Sequence, residues 1–533
     1  VDSPTDRPEE WAQAHVADLV SQAAARVPDN PAIVDVTSEI TLTWRELDGA
    51  VSAEATRLRD AGVAAGDRVL VRLGNGAEFC VAVLGALRAD AVTVPFGSIG
   101  VARELEIVLS DCRPAVVVAA DGDDTARASA AALNSAVITP PDLGARAEGP
   151  SQGDARRGGE EIALLVYTSG TTGSPRGVRL SHRALLANRA QTAALRPAPV
   201  IPVDRVLLSL PMFHIFGLAA GLLQACWVGA TVVLVERFEP AHIAEVLVEQ
   251  RVSGLAGVPS MFRSLLDLPA GELRAATAGV RLCTSGGAPL PAEWLADFRA
   301  ATGLTIVEGY GLTEAGPVLT TTPTAGVAKP GSVGRPLPGV ELRLVDREGT
   351  PLDSGSEPGP EDLDDLDDLD DLDGLDSDVF DAQDTGLVAV RGPNLFSGYW
   401  PDGAGGPDDE GWFRTADVGF LDADGDLHLV DRSSDVVIVN GFNVYPREVE
   451  QVLVELPGVA EGAVVGVPDD RTGEAVKAVL VRVPDAELTE EDVRAHCVER
   501  LARFKVPTVI EFADALPRTP TGKVARRQLA GQS

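Results

Sequence analysis

The chain has 533 residues, 45 % of them hydrophobic, and a formal net charge of −35. That length calls for roughly two to four domains with ample apolar material for their cores, and the acidity excludes a nucleic-acid groove or an anionic membrane surface as the main partner. No apolar run reaches the roughly 18 residues of a membrane span, and Asp2, Asp6, Glu9 and Glu10 stand where a secretory signal would be basic and then apolar, so the expectation is a soluble, cytoplasmic protein.

Up to about residue 340, short β-rich runs alternate with Ala/Leu-rich stretches. The spacing predicts strands over 68–73, 115–119, 231–235 and 280–283, and helices over 77–89, 183–195 and 242–250. Strands alternating with helices in this way indicate an α/β fold with largely parallel sheets. Cys80, Cys112, Cys226, Cys283 and Cys497 have neither metal-ligand nor redox spacing, which predicts buried free thiols in a reducing compartment.

The first motif is Leu164-Leu-Val-Tyr-Thr-Ser-Gly-Thr-Thr-Gly-Ser-Pro-Arg-Gly-Val178. An apolar strand runs into a Thr/Ser/Gly loop whose amides and hydroxyls suit a polyphosphate; a flexible linker fits an abrupt attachment to a buried strand badly. No Gly-Lys-Ser/Thr follows, so it is not a Walker loop. The second is Thr305-Ile-Val-Glu-Gly-Tyr-Gly-Leu-Thr-Glu-Ala-Gly-Pro317, in which Tyr310 suits a purine and Glu314 a Mg²⁺ ion; a tight turn with a solvated acid is the plainer alternative.

Around 353–383 the pattern breaks. The segment from Glu361 repeats Asp-Asp-Leu, and clustered aspartates with no aromatic until Phe380 predict a solvated insert, disordered over about 357–382. It lacks the glycine and terminal glutamate of a calcium-binding EF-hand. β-Rich sequence resumes at 385–391. The third motif is Gly411-Trp-Phe-Arg-Thr-Ala-Asp-Val-Gly419, where Asp417 suits a ribose diol, followed by Asp424-Gly425, a hairpin signal leading to Asp431-Arg432.

Past Asp431 a compact α+β unit follows, with elements expected over 436–439, 448–456, 460–467, 476–483 and 490–501. It contains the fourth motif, Asn440-Gly-Phe-Asn-Val-Tyr-Pro446, read as a Gly/Asn-rich loop opening a helix at Arg447. The fifth, Pro517-Arg-Thr-Pro-Thr-Gly-Lys-Val524, sets Lys523 on a Pro/Gly-braced turn.

In this order, over about residues 20–527, the five motifs resemble the adenylate-forming superfamily of acyl-CoA synthetases, firefly-type luciferases and stand-alone adenylation domains. The segments Pro211-Met-Phe-His-Ile-Phe-Gly217 and Gly309-Tyr-Gly-Leu-Thr-Glu-Ala-Gly-Pro-Val318 are most similar to its fatty-acyl- and 4-coumarate-CoA ligases. The resemblance implies an N-terminal domain, 1–431, of parallel-rich sheets with flanking helices and a β-rich subdomain. A small mobile α+β domain, 432–533, would turn about a hinge at Ser434 between half-reactions.

By the same resemblance, Thr168, Ser169, Gly170, Thr171, Thr172, Gly173 and Arg176 would hold the β- and γ-phosphates, with Thr168 and Glu314 near Mg²⁺. Ser285, Gly287, Ala288, Pro289, Glu308, Gly309, Tyr310, Gly311, Thr313 and Leu429 would frame adenine and the α-phosphate. Asp417 would take the ribose, with Arg432 beside it, and Lys523 would contact the α-phosphate and the attacking carboxylate. Phe213, His214, Phe216, Gly217, Gly287, Gly309, Gly316, Pro317 and Val318 would form the acyl pocket, with Gly217, Gly287, Gly309, Gly311 and Gly316 leaving space and His214 as a lid. Gly441, Phe442, Asn443, Tyr445 and Arg447 would serve thiolation. Two positions depart from the family pattern: its phosphate-loop lysine is Arg176 here, and its hinge Asp or Lys is Ser434. The family also usually lacks the acidic insert.

Phe213-His-Ile-Phe-Gly-Leu218 has no carboxylate to pair with an amino acid's ammonium, so a plain acid, fatty or aryl, is expected. With no carrier-protein domain after Lys523, coenzyme A is the simplest acceptor, and Arg432, Arg447, Arg471 and Arg526 are candidates for its phosphates. Other readings are loading of a separate acyl-carrier protein, work mainly on a preformed acyl-adenylate, luciferase-like oxygenation, or a non-catalytic nucleotide binder.

Overall fold

Short β-rich runs such as Arg-Val-Leu-Val-Arg-Leu at Arg68–Leu73 become strands buried on both faces, Arg72 included, the burial parallel sheets impose. The structure is a computed structural model that describes residues 14–98, 100, 102–133, 135–146, 158–169, 175–325, 328–346, 348–352, 385–432, 437–439, 442–444, 446–469, 473–484, 486–501, 503–519 and 523–531. The expected disordered insert over 357–382 lies outside them. The chain divides into two compact units, one of Val1–Glu341 with Arg391–Phe413 and the other of Leu342–Val390 with Arg414–Ser533.

The first unit is built on two sheets. The larger, nine-stranded one runs Arg335–Pro336, Val318–Thr321, Ile306–Gly311, Leu282–Gly286, Gly254–Gly257, Arg205–Leu208, Thr231–Leu234, Pro31–Asp35 and Ile40–Thr43. Its strands from Ile306–Gly311 through Pro31–Asp35 are parallel, and the flanking strands antiparallel. The six-stranded sheet runs Ala136–Ile138, Val116–Ala119, Arg68–Leu73, Val92–Gly97, Ile162–Ser169 and Pro175–Ser181, parallel except for the last.

Helix His182–Ala194 leaves the second sheet with Ser181 as its cap, the hydroxyl accepting the Ala184 N–H at 3.2 Å. Such a cap stabilises a helix by about 1 kcal/mol. From His182 to Gln191 nearly every residue of this helix is buried, polar ones included. Segment Phe216–Leu223 is wound as a π-helix, a form that recurs at functional sites.

The second unit holds a four-stranded sheet, Glu341–Val345, Gly386–Arg391, Trp412–Leu421 and Leu427–Arg432. A five-stranded sheet follows, of Phe442–Val444, Val437–Val439, Gly473–Arg482 and Val459–Asp469, with Val509–Ala513 alongside Gly473–Arg482. Helices Pro446–Val454 and Glu490–Val498 pack on it through Val449, Leu453, Val493 and Cys497. The fold is thus α/β with parallel-rich sheets, a β-rich part and a small α+β part. One expectation changes: within the loop expected over 440–446, Phe442–Val444 is a strand paired antiparallel with Val437–Val439, because its aromatic and β-branched residues suit a sheet face. The expected hairpin at Asp424-Gly425 is present, with Gly425 at φ 80° and Trp412–Leu421 antiparallel to Leu427–Arg432.

All five cysteines are free and buried. Burial pushes the Cys226 and Cys283 thiols up to about 12, which makes them inert packing residues. No helix among the described residues is long and apolar enough to cross a membrane.

Candidate active site

In the first unit, strand Ile162–Ser169 delivers Thr168 to the mouth of the phosphate-loop motif and Pro175–Ser181 returns antiparallel beside it, with Thr168 directly opposite Arg176. Opposed residues of an antiparallel pair share a face, with β-carbons about 4.5–5.5 Å apart. Thr168 is half-buried and Arg176 exposed. Gly170, Thr171, Thr172 and Gly173 lie outside the described residues, as do the Ser169 side chain, Ser434, Gly441, Tyr445, Arg471, and the side chains of Arg432, Phe442 and Asn443.

The second motif begins as strand Ile306–Gly311. Glu308 is held by its N–H donating to Thr322 Oγ1 at 2.9 Å, and its carbonyl accepts the Thr322 N–H at 2.8 Å. Tyr310 is buried, 8 % exposed. Thr313–Ala315 is a single 3₁₀ turn ending in Gly316 with φ 70°, which presents Glu314 half-buried beyond the strand end.

A buried polar network fixes this turn. The Asn188 amide donates to the Val318 carbonyl at 2.7 Å and accepts the Val318 N–H at 3.1 Å. The Arg189 guanidinium donates to the Gly316 carbonyl at 3.1 Å and to Gln224 Oε1 at 3.2 Å. Asn394 donates to the Ala315 carbonyl at 2.8 Å and accepts from Gln191 at 3.3 Å. Complete burial lowers the Arg189 pKa to about 9. Each of these turn carbonyls, left unpaired, would cost about 1–3 kcal/mol.

Tyr399 connects the two motifs. Its hydroxyl donates to Glu314 Oε1 at 2.7 Å, and the Arg176 guanidinium carbon lies 3.6 Å from its ring centroid. Burial, followed by the Glu314 carboxylate, raises the Tyr399 pKa, while Arg176 opposes the shift. None of Tyr399, Asn188, Arg189 or Asn394 was among the residues expected from the sequence. The only signal for Tyr399 was a Gly398-Tyr-Trp400 aromatic pair after a turn.

The acyl-pocket candidates separate into two groups. Phe213, His214 and Phe216 are half-buried. Their segment is pinned by Asn75, whose amide donates to the Leu210 carbonyl at 2.6 Å and accepts the Met212 N–H at 2.8 Å. His214 Nδ1 accepts the Phe216 N–H at 3.2 Å. The expectation that glycines leave space is corrected at two positions. A β-carbon on Gly217 would stand 2.6 Å from the Pro211 carbonyl oxygen, and one on Gly311 would stand 1.9 Å from that of Pro317. There the missing side chain admits backbone, not substrate. At Gly287 the nearest atom would be Val258 Cγ1 at 3.8 Å, which leaves ordinary room.

Within the second unit, Asp417 is half-buried on strand Trp412–Leu421, paired in register with Arg432, and its N–H donates to Thr415 Oγ1 at 3.1 Å. Arg447 donates to the Leu429 carbonyl at 3.4 Å. Lys523 is exposed, and its carbonyl accepts the Thr519 N–H at 2.7 Å. Arg526, a candidate for coenzyme A phosphate, instead forks onto both oxygens of Glu450 at 2.7 and 2.8 Å. That carboxylate also accepts the Val464 N–H, so the pair serves the small domain's own packing.

Comparison with known proteins bears on the family and the fold. Residues 20–400 match the AMP-binding enzyme family and residues 448–523 the AMP-binding enzyme C-terminal domain. The chain is 32 % identical to the long-chain-fatty-acid–CoA ligase FadD13 of Mycobacterium tuberculosis over 96 % of its own length and 97 % of that protein's. It is 34 % identical to a feruloyl-CoA synthase of Amycolatopsis sp, over 92 % of this chain and 93 % of that one. The crystal structure of ATP-bound MatB from Rhodopseudomonas palustris superposes with a TM-score of 0.84 at 31 % identity, covering 97 % of this chain and 98 % of that one.

Proposed function

Because this chain belongs to the AMP-binding enzyme family and is an AMP-forming acid–CoA ligase, we propose that its substrate is a plain fatty or aryl carboxylic acid, activated as the acyl-adenylate with ATP and Mg²⁺ and then passed to coenzyme A. The observation that carries this reading is the convergence of Thr168, Arg176 and Glu314 on one face through Tyr399. A hydroxyl, a carboxylate and a fixed cation gathered there suit a metal-bound polyphosphate.

Carboxylate and hydroxyl oxygens are hard donors, so Thr168 and Glu314 fit Mg²⁺. When bound, the ion supplies charge neutralisation at the β- and γ-phosphates. The chain's own residues do the rest. Arg176 balances charge on the departing pyrophosphate. The strand end Gly309-Tyr-Gly311 frames the base, and Asp417 accepts the ribose hydroxyls. Lys523 binds the α-phosphate as the acid's carboxylate attacks phosphorus, where negative charge accumulates. Phe213, Phe216 and Val318 offer an apolar wall, and the 213–218 segment carries no acid to hold an ammonium. A fatty-acid ligase and a feruloyl-CoA synthase among the relatives are in keeping with that choice.

For thiolation, the small domain, taken as 432–533, turns about Ser434. Lys523 is withdrawn, and Gly441, Phe442, Asn443, Tyr445 and Arg447 take its place beside the adenylate, with Arg447 toward coenzyme A phosphate. The test is a panel of fatty, aryl and amino acids incubated with ATP, Mg²⁺ and coenzyme A, following AMP and acyl-CoA by mass. The expected result is acyl-CoA from fatty or aryl acids and none from amino acids. Turnover confined to amino acids would overturn the substrate assignment.

A further inference from the structure

Among the groups that the reaction above leaves without a role, Tyr399 stands out, because it touches both charged side chains of the phosphate end. Its backbone is stitched to the returning strand: Val178 and Tyr399 form an antiparallel bridge, and the Trp400 N–H donates to the Gly177 carbonyl at 2.8 Å. Its ring meets Phe396 edge-on at 5.0 Å, and Phe396 in turn meets Phe413 edge-on at 5.0 Å. Gly405, at φ 69°, closes over the stack: a β-carbon there would lie 3.2 Å from Tyr399 Cδ2 and 3.6 Å from Arg176 Nη2. Glu314 is anchored to the same segment through its carbonyl, which accepts the Phe396 N–H at 2.8 Å. The ring is therefore clamped from its edge and its backbone, and has one orientation to offer.

We infer that Tyr399 is a positioning residue for the metal–nucleotide end of the site, fixing the Glu314 carboxylate through its hydroxyl and seating Arg176 on its ring face. The inference rests on the proposed function and adds a specific division of labour. A glutamate and an arginine that contact one side chain would pair with each other if nothing separated them, and each would then be lost to the nucleotide. The phenol prevents this. It occupies one carboxylate oxygen as a neutral donor and leaves the other for the ion, while its π-face holds the cation at a set height. It also gives a reason for arginine at 176. A planar guanidinium stacks flat on the ring, whereas a lysine ammonium is a point charge on a flexible stem.

The test reads binding and needs no turnover. Mn²⁺, a paramagnetic stand-in for Mg²⁺, is titrated by electron paramagnetic resonance into the full chain with a non-hydrolysable ATP analogue, for wild type, Tyr399→Phe and Glu314→Gln. Tyr399→Phe keeps the ring and loses only the hydroxyl. It is expected to weaken Mn²⁺ about tenfold, in the range for partners that orient a metal ligand. Its affinity for the analogue without metal should stay at wild type, and adding it to Glu314→Gln should bring no further loss. Arg176→Lys, an exposed change that leaves folding intact, is expected to weaken the analogue at least threefold with Mn²⁺ affinity held. Wild-type Mn²⁺ affinity in Tyr399→Phe overturns the inference and leaves the proposed function standing, as does wild-type analogue affinity in Arg176→Lys for the seating of the cation. Failure of the wild type itself to bind metal and analogue overturns the function, and the inference with it.

Discussion

The turn at 313–318 and the turn at 517–525 each carry a charged side chain assigned to the same reaction, and they are built in opposite ways. Around Glu314 the backbone carbonyls of Ala315, Gly316 and Val318 all accept from buried side chains, and Tyr399 fixes the carboxylate itself. Near Lys523 the described residues include the Thr519–Lys523 hydrogen bonds and an Arg518–Val524 bridge, and the lysine is exposed. The first is a seat in which geometry is preset by packing, and damage there should reach stability and activity together. The second presents a charge from a surface turn, and damage there should reach activity alone.

The largest expected effect lies in the second turn. Lys523→Ala should lower the adenylation rate by about 10²–10³, as lost transition-state donors do, without moving the thermal midpoint. Reaction of a supplied acyl-adenylate with coenzyme A should persist, and quench-flow of the two half-reactions separates these. A matching loss in both would break the comparison. In the first turn, Asn188→Ala leaves the Val318 N–H and carbonyl unpaired, and should cost about 2–4 kcal/mol in denaturant unfolding while also raising KM for the acid. Loss of stability with unchanged KM would detach the network from the site.

A pH effect follows from the same helix. His182 packs against His15 with ring centroids 3.9 Å apart and planes tilted by 36°, and its Nδ1 accepts the Val16 N–H. Burial, and then His15, hold the His182 pKa well below its ordinary 6.5. The unfolded chain therefore takes a proton near 6.5 that the folded one refuses. Stability is full above that pH and falls as pH drops through it. His182→Gln should flatten that limb in urea titrations at stepped pH. The smallest effect is expected at the second unit's hairpin, where Gly425 has φ 80° and open space beside it. Gly425→Ala should cost only the left-handed backbone penalty, about 1–2 kcal/mol, seen as a lower thermal midpoint.

Legibility in the sequence followed the range of the interactions. Arg68–Leu73 was readable because a short β-rich run between helical stretches suits a strand, and helix His182–Ala194 because of its Ala/Leu content. The phosphate-loop and Gly-Tyr-Gly motifs were readable because the chemistry sits in contiguous residues. Tyr399 was hidden, since its contact with Arg176 and Glu314 depends on a return of chain from far along the sequence. Asn188, Arg189 and Gln191 carried no local signal of a role, because tertiary packing alone buries them. Gly217 and Gly311 resembled pocket glycines until their neighbours were known to be the carbonyls of Pro211 and Pro317. Arg526 resembled a phosphate ligand because Glu450, which engages it, lies in a distant helix.

The most direct test is acid-dependent exchange of labelled pyrophosphate into ATP, run side by side for wild type and Glu314→Gln. The expected result is exchange in wild type that needs both the carboxylic acid and Mg²⁺, reduced at least about tenfold in the variant. Wild type that forms acyl-CoA from a supplied acyl-adenylate yet exchanges no pyrophosphate, or a variant that exchanges as fast as wild type, would contradict the assignment of this seat to ATP.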